Sequence, residues 1–165
     1  MTSNPGRNGV AAGEGGTAFL LAQLGSHAAR RFTERVAALD LTLPQAGLLR
    51  AIASEPGLSQ QALAVQLGTP ATRLVSLIDD LEQRGFVQRQ RNQRDRRLHA
   101  VHLTDAGRRL LRTLGQAATS HGIAITAALD DDERRQLHAL LARMAAHQQL
   151  TDRVHPGFRG LAPGG

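Results

Sequence analysis

Between Ser59 and Gly107 the sequence runs SQQALAVQLGTPATRLVSLIDDLEQRGFVQRQRNQRDRRLHAVHLTDAG, and its punctuation leaves few folds open. Ser59 can cap a short helix with Ala62, Leu63 and Leu67 on its inner side, closed by Gly68. Thr69-Pro70 opens another helix, with Leu74, Leu77, Ile78 and Leu81 at core spacing, and Gly85 ends it. Two short strands follow, near Phe86–Gln90 and Leu98–Leu103, joined by the polar turn Arg91–Arg96. Helix, tight turn, helix and basic hairpin in this order can offer one helix to a DNA major groove and the hairpin tip to a neighbouring minor groove.

The flanking segments read as helices built around that unit. From Thr17 to about Ala38, apolar residues fall at Leu20, Leu24, Ala28, Phe32, Val36 and Leu39, which is helical spacing. A second helix starts at Thr42-Leu-Pro-Gln45, where Thr42 can cap the Gln45 amide and Pro44 is tolerated in the first turn. It carries Leu48, Leu49 and Ile52 inward and stops at Pro56-Gly57. Thr104 caps a fifth helix with the stripe Leu110, Leu114, Ala117, His121 and Ile125. Asp130 and Glu133 form a capping box on a sixth, with Leu137, Leu140, Leu141 and Met144. Residues 1–16 and 151–165 are Gly-rich, lack periodicity and read as a disordered and a flexible tail.

Charge is concentrated where the hairpin lies. The chain has 20 basic residues, all arginine, and a net charge of +6. Between Arg84 and Arg112 nine arginines face two acids, Asp95 and Asp105, so this segment alone exceeds the net charge of the whole chain. A GC-rich genome explains arginine over lysine but not this placement, which is the footprint of a polyanion binder. The absence of cysteine excludes disulfides, thiolate metal sites and thiol redox sensing. No apolar run approaches the roughly 18 residues of a membrane span, and no signal-peptide core opens the chain, so a soluble, cytoplasmic protein is expected.

On the fourth helix Thr69, Thr72, Arg73 and Ser76 sit at i, i+3, i+4 and i+7, opposite the core leucines. Hydroxyls can bond base edges or phosphates, and arginine can take guanine in bidentate fashion. The bland alternative is an amphipathic helix with a solvated face; Gly85 and the basic hairpin behind it weigh against that. Arg89, Arg91, Arg94, Arg96 and Arg97 surround Asp95, and one carboxylate among guanidiniums can fix an arginine's pose. A solvated charge run is the alternative there.

The runs Gly85-Phe-Val-Gln-Arg89, Asp95-Arg-Arg97 and Val101-His-Leu-Thr-Asp-Ala-Gly107, with Leu41-Thr-Leu-Pro-Gln45, resemble the MarR family of winged helix-turn-helix transcription regulators. The resemblance covers about residues 17–150. It implies a mainly α fold with a small β-hairpin wing: a winged helix at about 42–103 and a helical dimerisation region at about 17–39 and 104–150. It implies a homodimer in which the first, fifth and sixth helices interlock and each protomer reads half of a pseudo-palindrome. Arg97 would then enter the minor groove, Asp95 would position it, and Arg89 would serve backbone or dimer contacts at the strand base. The expected DNA-binding residues are Ser59, Thr69, Pro70, Thr72, Arg73 and Ser76, with Arg89, Arg91, Arg94, Asp95, Arg96 and Arg97 on the hairpin.

This chain departs from the family pattern in two places. Arg91, Asn92 and Gln93 stand where many members have Pro, Asp and Pro, which makes the wing more basic. Ala46-Gly47 stands where a bulky aromatic often begins the core of the second helix. Either the space where family ligands bind is enlarged, or Phe32 or Phe19 fills it, and the filled core is favoured. A small aromatic or anionic effector would be met by Phe19, Gln23, His27, Arg31, Ala46 and Leu49.

Other chemistry finds little support. None of the seven histidines has an i, i+4 partner, and His99 and His102 fall on opposite faces of a strand, so no metal site is expected. His121 and His27 read as core or interface histidines, with a ligand-pocket or pH-sensing role as the lesser alternative. No phosphate loop, cysteine nucleophile or Ser/His/Asp set converges, so neither an enzyme nor a cofactor is expected. The sequence reads as a sequence-specific regulator of transcription, a repressor released from its operator by a small ligand. The second reading is a nonspecific architectural DNA-binding protein without a ligand.

Overall fold

The computed structural model describes residues 16–91 and 99–150. Eight elements follow in the order α1 (Thr17–Ala37), α2 (Leu43–Ser54), α3 (Gln60–Leu67), α4 (Ala71–Gln83), β1 (Val87–Arg91), β2 (His99–Leu103), α5 (Asp105–Ile125) and α6 (Asp131–His147). Residues 1–15 of the expected tail 1–16, the expected tail 151–165 and the wing tip at 92–98 lie outside the described residues.

The helix starts are fixed by side-chain caps legible in the sequence. Thr42 Oγ1 accepts the Gln45 N–H at 3.3 Å while Gln45 Oε1 accepts the Thr42 N–H at 2.7 Å, a reciprocal box. Ser59 accepts from Ala62 at 3.2 Å, Thr104 from Gly107 at 3.0 Å, and Asp130 from Glu133 at 2.8 Å. Each cap satisfies one of the amides that a helix N-terminus leaves without an intrahelical partner.

The core lies inside the α2–α4 unit and its hairpin. Leu48, Leu49, Ile52, Leu63, Leu74, Ile78, Leu81, Val87 and Val101 are fully buried, joined by Val36 of α1 and Leu114 of α5. β1 and β2 pair antiparallel with Val87 opposite Leu103 and Arg91 opposite His99. Ser59 adds an antiparallel bridge to Ala100, and the Val101 N–H donates to the Leu58 carbonyl at 3.1 Å. This tie sews the α2–α3 turn to β2; it is too short to leave a periodic signal in the sequence.

The long helices behave differently. α6 buries none of its side chains, and α1 buries only Val36. Phe19, Leu20 and Leu24 on α1, Ile123 on α5, and Leu140 and Met144 on α6 are 46–58% exposed. The stripe expected on α5 is buried or half-buried, as is the α1 stripe from Ala28 onward, whereas Leu20 and Leu24 of α1 and Leu140, Leu141 and Met144 of α6 stay exposed in the single chain.

The junction between hairpin and α5 is set by one close approach. A Cβ at Gly107 would lie 2.0 Å from the Phe86 carbonyl oxygen, a backbone atom that cannot swing aside. The Thr104 hydroxyl donates to the Gly85 carbonyl at 2.6 Å and its N–H to the Phe86 carbonyl at 3.0 Å, which closes the same seam. Gly107→Ala should therefore destabilise the fold by about 1–3 kcal/mol through overpacking. Gly115→Ala, in the interior of α5 with nothing within 4 Å of its Cβ, should instead stabilise it by about 0.5–1 kcal/mol. Urea midpoints of the two variants at equal protein concentration check the opposite signs.

Candidate nucleic-acid interface

Helix α4 divides cleanly by burial. Leu74, Ile78 and Leu81 face the core with no exposed surface, whereas Thr72, Arg73 and Ser76 are exposed together on the far side. Pro70, exposed, occupies the N-cap position with no side-chain cap bond, so the first turn of α4 keeps its N–H groups turned outward. Thr69 is placed differently from the sequence expectation. Gly68 turns the chain in the left-handed region at φ 58°, which carries the Thr69 N–H onto the Ala64 carbonyl at 3.0 Å. Thr69 is consequently 7% exposed, its Oγ1 is buried, and α4 begins two residues later. It packs in the turn and does not join the exposed face of Thr72, Arg73 and Ser76. Ser59, half-buried, is occupied as the cap of α3.

The hairpin rises beside this helix. Arg91 ends β1 with its side chain exposed, and the connection that carries Arg94, Asp95, Arg96 and Arg97 lies outside the described residues. The paired ends Arg91 and His99 fix where that connection leaves and returns. Arg73 and Arg91 are thus the exposed cations on the expected DNA side among the described residues.

Arg89 has another role in this geometry. Its guanidinium donates to both Asp79 and Glu82, and its main-chain N–H donates to Glu82 Oε1 at 2.8 Å. Partial burial pulls the Arg89 pKa down, but the hydrogen bonds and charges of Asp79 and Glu82 outweigh that, and it stands above the ordinary arginine value. A guanidinium held by two carboxylates fastens β1 to α4; it is not presented as a free cation for phosphate, as its place among the expected DNA contacts required.

Asp79, Asp80 and Glu82 lie outside the site residues expected from the sequence, yet Asp79 and Glu82 hold β1 through Arg89, and Asp80 meets Gln45 of α2 and Arg84. A signal was available. Acids in the last turns of a helix sit at the negative end of its dipole, an unfavourable position that calls for cations from outside the helix. Arg84 and Arg89 supply them. Arg89→Ala should lower stability by about 1–2 kcal/mol, discounted because Asp79 is more than half exposed. Arg91→Ala should stay within about 0.5 kcal/mol of the parent. Equal urea midpoints for the two variants would contradict this division of roles.

The residues expected around an effector separate into two environments. Ala46 and Leu49 are buried in the core, whereas Phe19, Gln23, His27 and Arg31 are exposed along α1. Phe32, not Phe19, is the ring that packs against the core. It meets the imidazole of His121 with ring centres 5.4 Å apart. His121 Nδ1 is buried with no hydrogen-bond partner. Burial lowers its pKa below the ordinary histidine value, and the charges of Arg35, Arg31 and His27 add to the effect.

This shift has a sign in stability. In the unfolded chain the imidazole takes a proton near pH 6.5; in the folded chain it resists until lower pH. The unfolded state therefore holds more protons in that window, so the contribution is full above about pH 7 and is lost as pH falls through the unfolded value towards the folded one. His121→Gln should flatten the fall in urea midpoint between about pH 7.5 and 5.5. An undiminished fall would place its origin elsewhere.

A family model described as the MarR family matches residues 39–98. The putative transcriptional regulatory protein for the hcr operon of Thauera aromatica is 37% identical over 98 residues, 59% of this chain and 59% of that protein. The transcriptional regulator HosA of Escherichia coli is 38% identical over 72 residues, 44% of this chain and 53% of its own. The chain thus spans somewhat over half the length of these curated relatives. Among solved structures, the transcriptional repressor CouR bound to a 23-mer DNA duplex is 33% identical with a TM-score of 0.65, over 78% of this chain and 92% of that one. Wild-type MarR from E. coli, in its apo form, is 25% identical with a TM-score of 0.67, over 78% and 96%. Among the described residues, no helix is long and apolar enough to cross a membrane.

Proposed function

This chain belongs to the MarR family of winged helix-turn-helix regulators, and we propose that it is a homodimeric transcriptional repressor that reads a pseudo-palindromic operator. The observation that carries this reading is α4, whose buried leucine side leaves Thr72, Arg73 and Ser76 exposed beside a basic hairpin. A major groove accepts one helix, and short hydroxyl side chains with an arginine suit its donor and acceptor pattern. In the wing, Arg97 enters the minor groove and Asp95 holds it in place, with Arg91, Arg94 and Arg96 neutralising nearby phosphates. Pro70 and Ser59, at the starts of α4 and α3, lie where a helix N-terminus can approach the DNA backbone.

The exposed apolar residues of α1, α5 and α6 support the dimer. They are the surface that a two-fold partner would bury, with each protomer offering the same stripe. Release by a small aromatic or anionic ligand is supported by the seam between α1 and α5. There Phe32 and His121 provide ring surface, and Arg31 and Arg35 provide positive charge.

Selection of bound duplexes from a random pool by the full chain tests the reading. Two related half-sites at fixed spacing are the expected product, each mismatched pair costing about 1–3 kcal/mol. Arg73→Ala should relax preference at particular positions, whereas Arg97→Ala should weaken binding to all sequences and leave the dimer mass from light scattering intact. Recovery of no consensus would favour the architectural reading instead, and a monomer mass at micromolar concentration would remove the dimer.

A further inference from the structure

The end of α4 meets the turn between α1 and α2 at Arg84. Its guanidinium donates to the Asp40 carbonyl at 2.7 Å and to the Asp40 carboxylate at 3.2 Å. It also lies 3.6 Å from the Asp80 carboxylate and 5.1 Å above the centre of the Phe86 ring. Asp80 in turn accepts the Gln45 side-chain amide at 2.6 Å, and Gln45 is half of the box that starts α2. Three quarters of the Arg84 side chain is buried. Its terminal nitrogens face the protein's own Asp40 and Asp80, which sets this arginine apart from the exposed cations of the basic segment.

The position of Asp40 gives the contact its meaning. Asp40 adopts φ 56°, a left-handed conformation that most side chains avoid and that Asp and Asn tolerate best after glycine. Its carbonyl and carboxylate both point to Arg84, so the turn is held in a fixed shape by groups on α4. Apolar packing keeps α1, α2 and α4 together but is non-directional. Hydrogen bonds to a planar guanidinium add the angular constraint that packing lacks.

We infer that Arg84 is a positioning residue for DNA binding: the chain Asp40–Arg84–Asp80–Gln45 fixes the angle of α4 against α1 and α2. In a dimer built on α1, that angle sets the distance between the two recognition helices. The inference rests on the dimeric DNA-binding reading given above. It assigns spacing selectivity to a residue whose bonds run to the α1–α2 turn and α4 of its own chain.

The test uses the full chain and a duplex recovered by random-pool selection, rebuilt with one base pair inserted into or removed from the spacer. One base pair rotates a half-site by about 35° and shifts it by about 3.4 Å. The parent protein should lose affinity on the order of tenfold on either altered spacer. Arg84→Ala should cut that loss to under about threefold while keeping its half-site sequence preference and its dimer mass. Arg84→Lys, a point charge without the planar fork, should recover part of the discrimination.

Asp40→Asn keeps the left-handed turn and the carbonyl contact but removes the ion pair, so it should fall between parent and Arg84→Ala. It also carries the test if Arg84→Ala does not fold. Folded variants that retain the full spacing loss would overturn the inference and leave the regulator reading standing. A parent protein that binds all spacers alike would overturn the dimeric reading, and the inference with it.

Discussion

The first turn of α5 touches the backbone of Phe86 because position 107 has no side chain, and the placement of the hairpin against the rest of the molecule depends on that contact. Thr104 completes it from the other side, accepting one amide from α5 and donating to a carbonyl at the end of the α4–β1 turn. The hairpin and α5 thus share a rigid junction a few residues wide. Everything that the hairpin does at its tip is referred back to this seam, because the strands beyond it are only five residues long.

Charge completes what that seam begins. Acids crowd the end of α4 against the direction that the helix dipole favours. Arg89 ties two of them to β1, and Arg84 ties a third to the α1–α2 turn. Among the described residues the basic segment therefore divides: Arg84 and Arg89 are held by carboxylates of the protein itself, whereas the side chain of Arg91 is exposed. Net charge alone does not reveal this split, because burial and partnership decide which cations remain available.

How far the fold was legible follows from the range of each signal. Caps at Thr42, Ser59, Thr104 and Asp130 act over three residues, and the structure has all four. The leucine spacing of α4 reports its buried side for the same reason. Thr69 does not join the expected face because helical spacing counted back through Pro70 reaches a residue that the Gly68 turn holds outside the helix, where the count of 3.6 residues no longer applies. The Ser59–Ala100 bridge and the Gln45–Asp80 bond join residues tens of positions apart, so no local pattern announces them. Which of Phe19 and Phe32 supports the core was likewise a matter of three-dimensional packing.

Helix α6 buries no side chain in the single chain. A helix in that condition draws little stability from its own protomer, since most helical stability comes from packing an amphipathic face. In the dimer proposed above a second copy covers it and supplies stabilising free energy by mass action, so order in this part of the molecule would become a function of how many copies a cell contains. Dilution would then act as a control on the protein in its own right. Below a threshold abundance, the loss of properly assembled molecules would be steeper than the loss of chains.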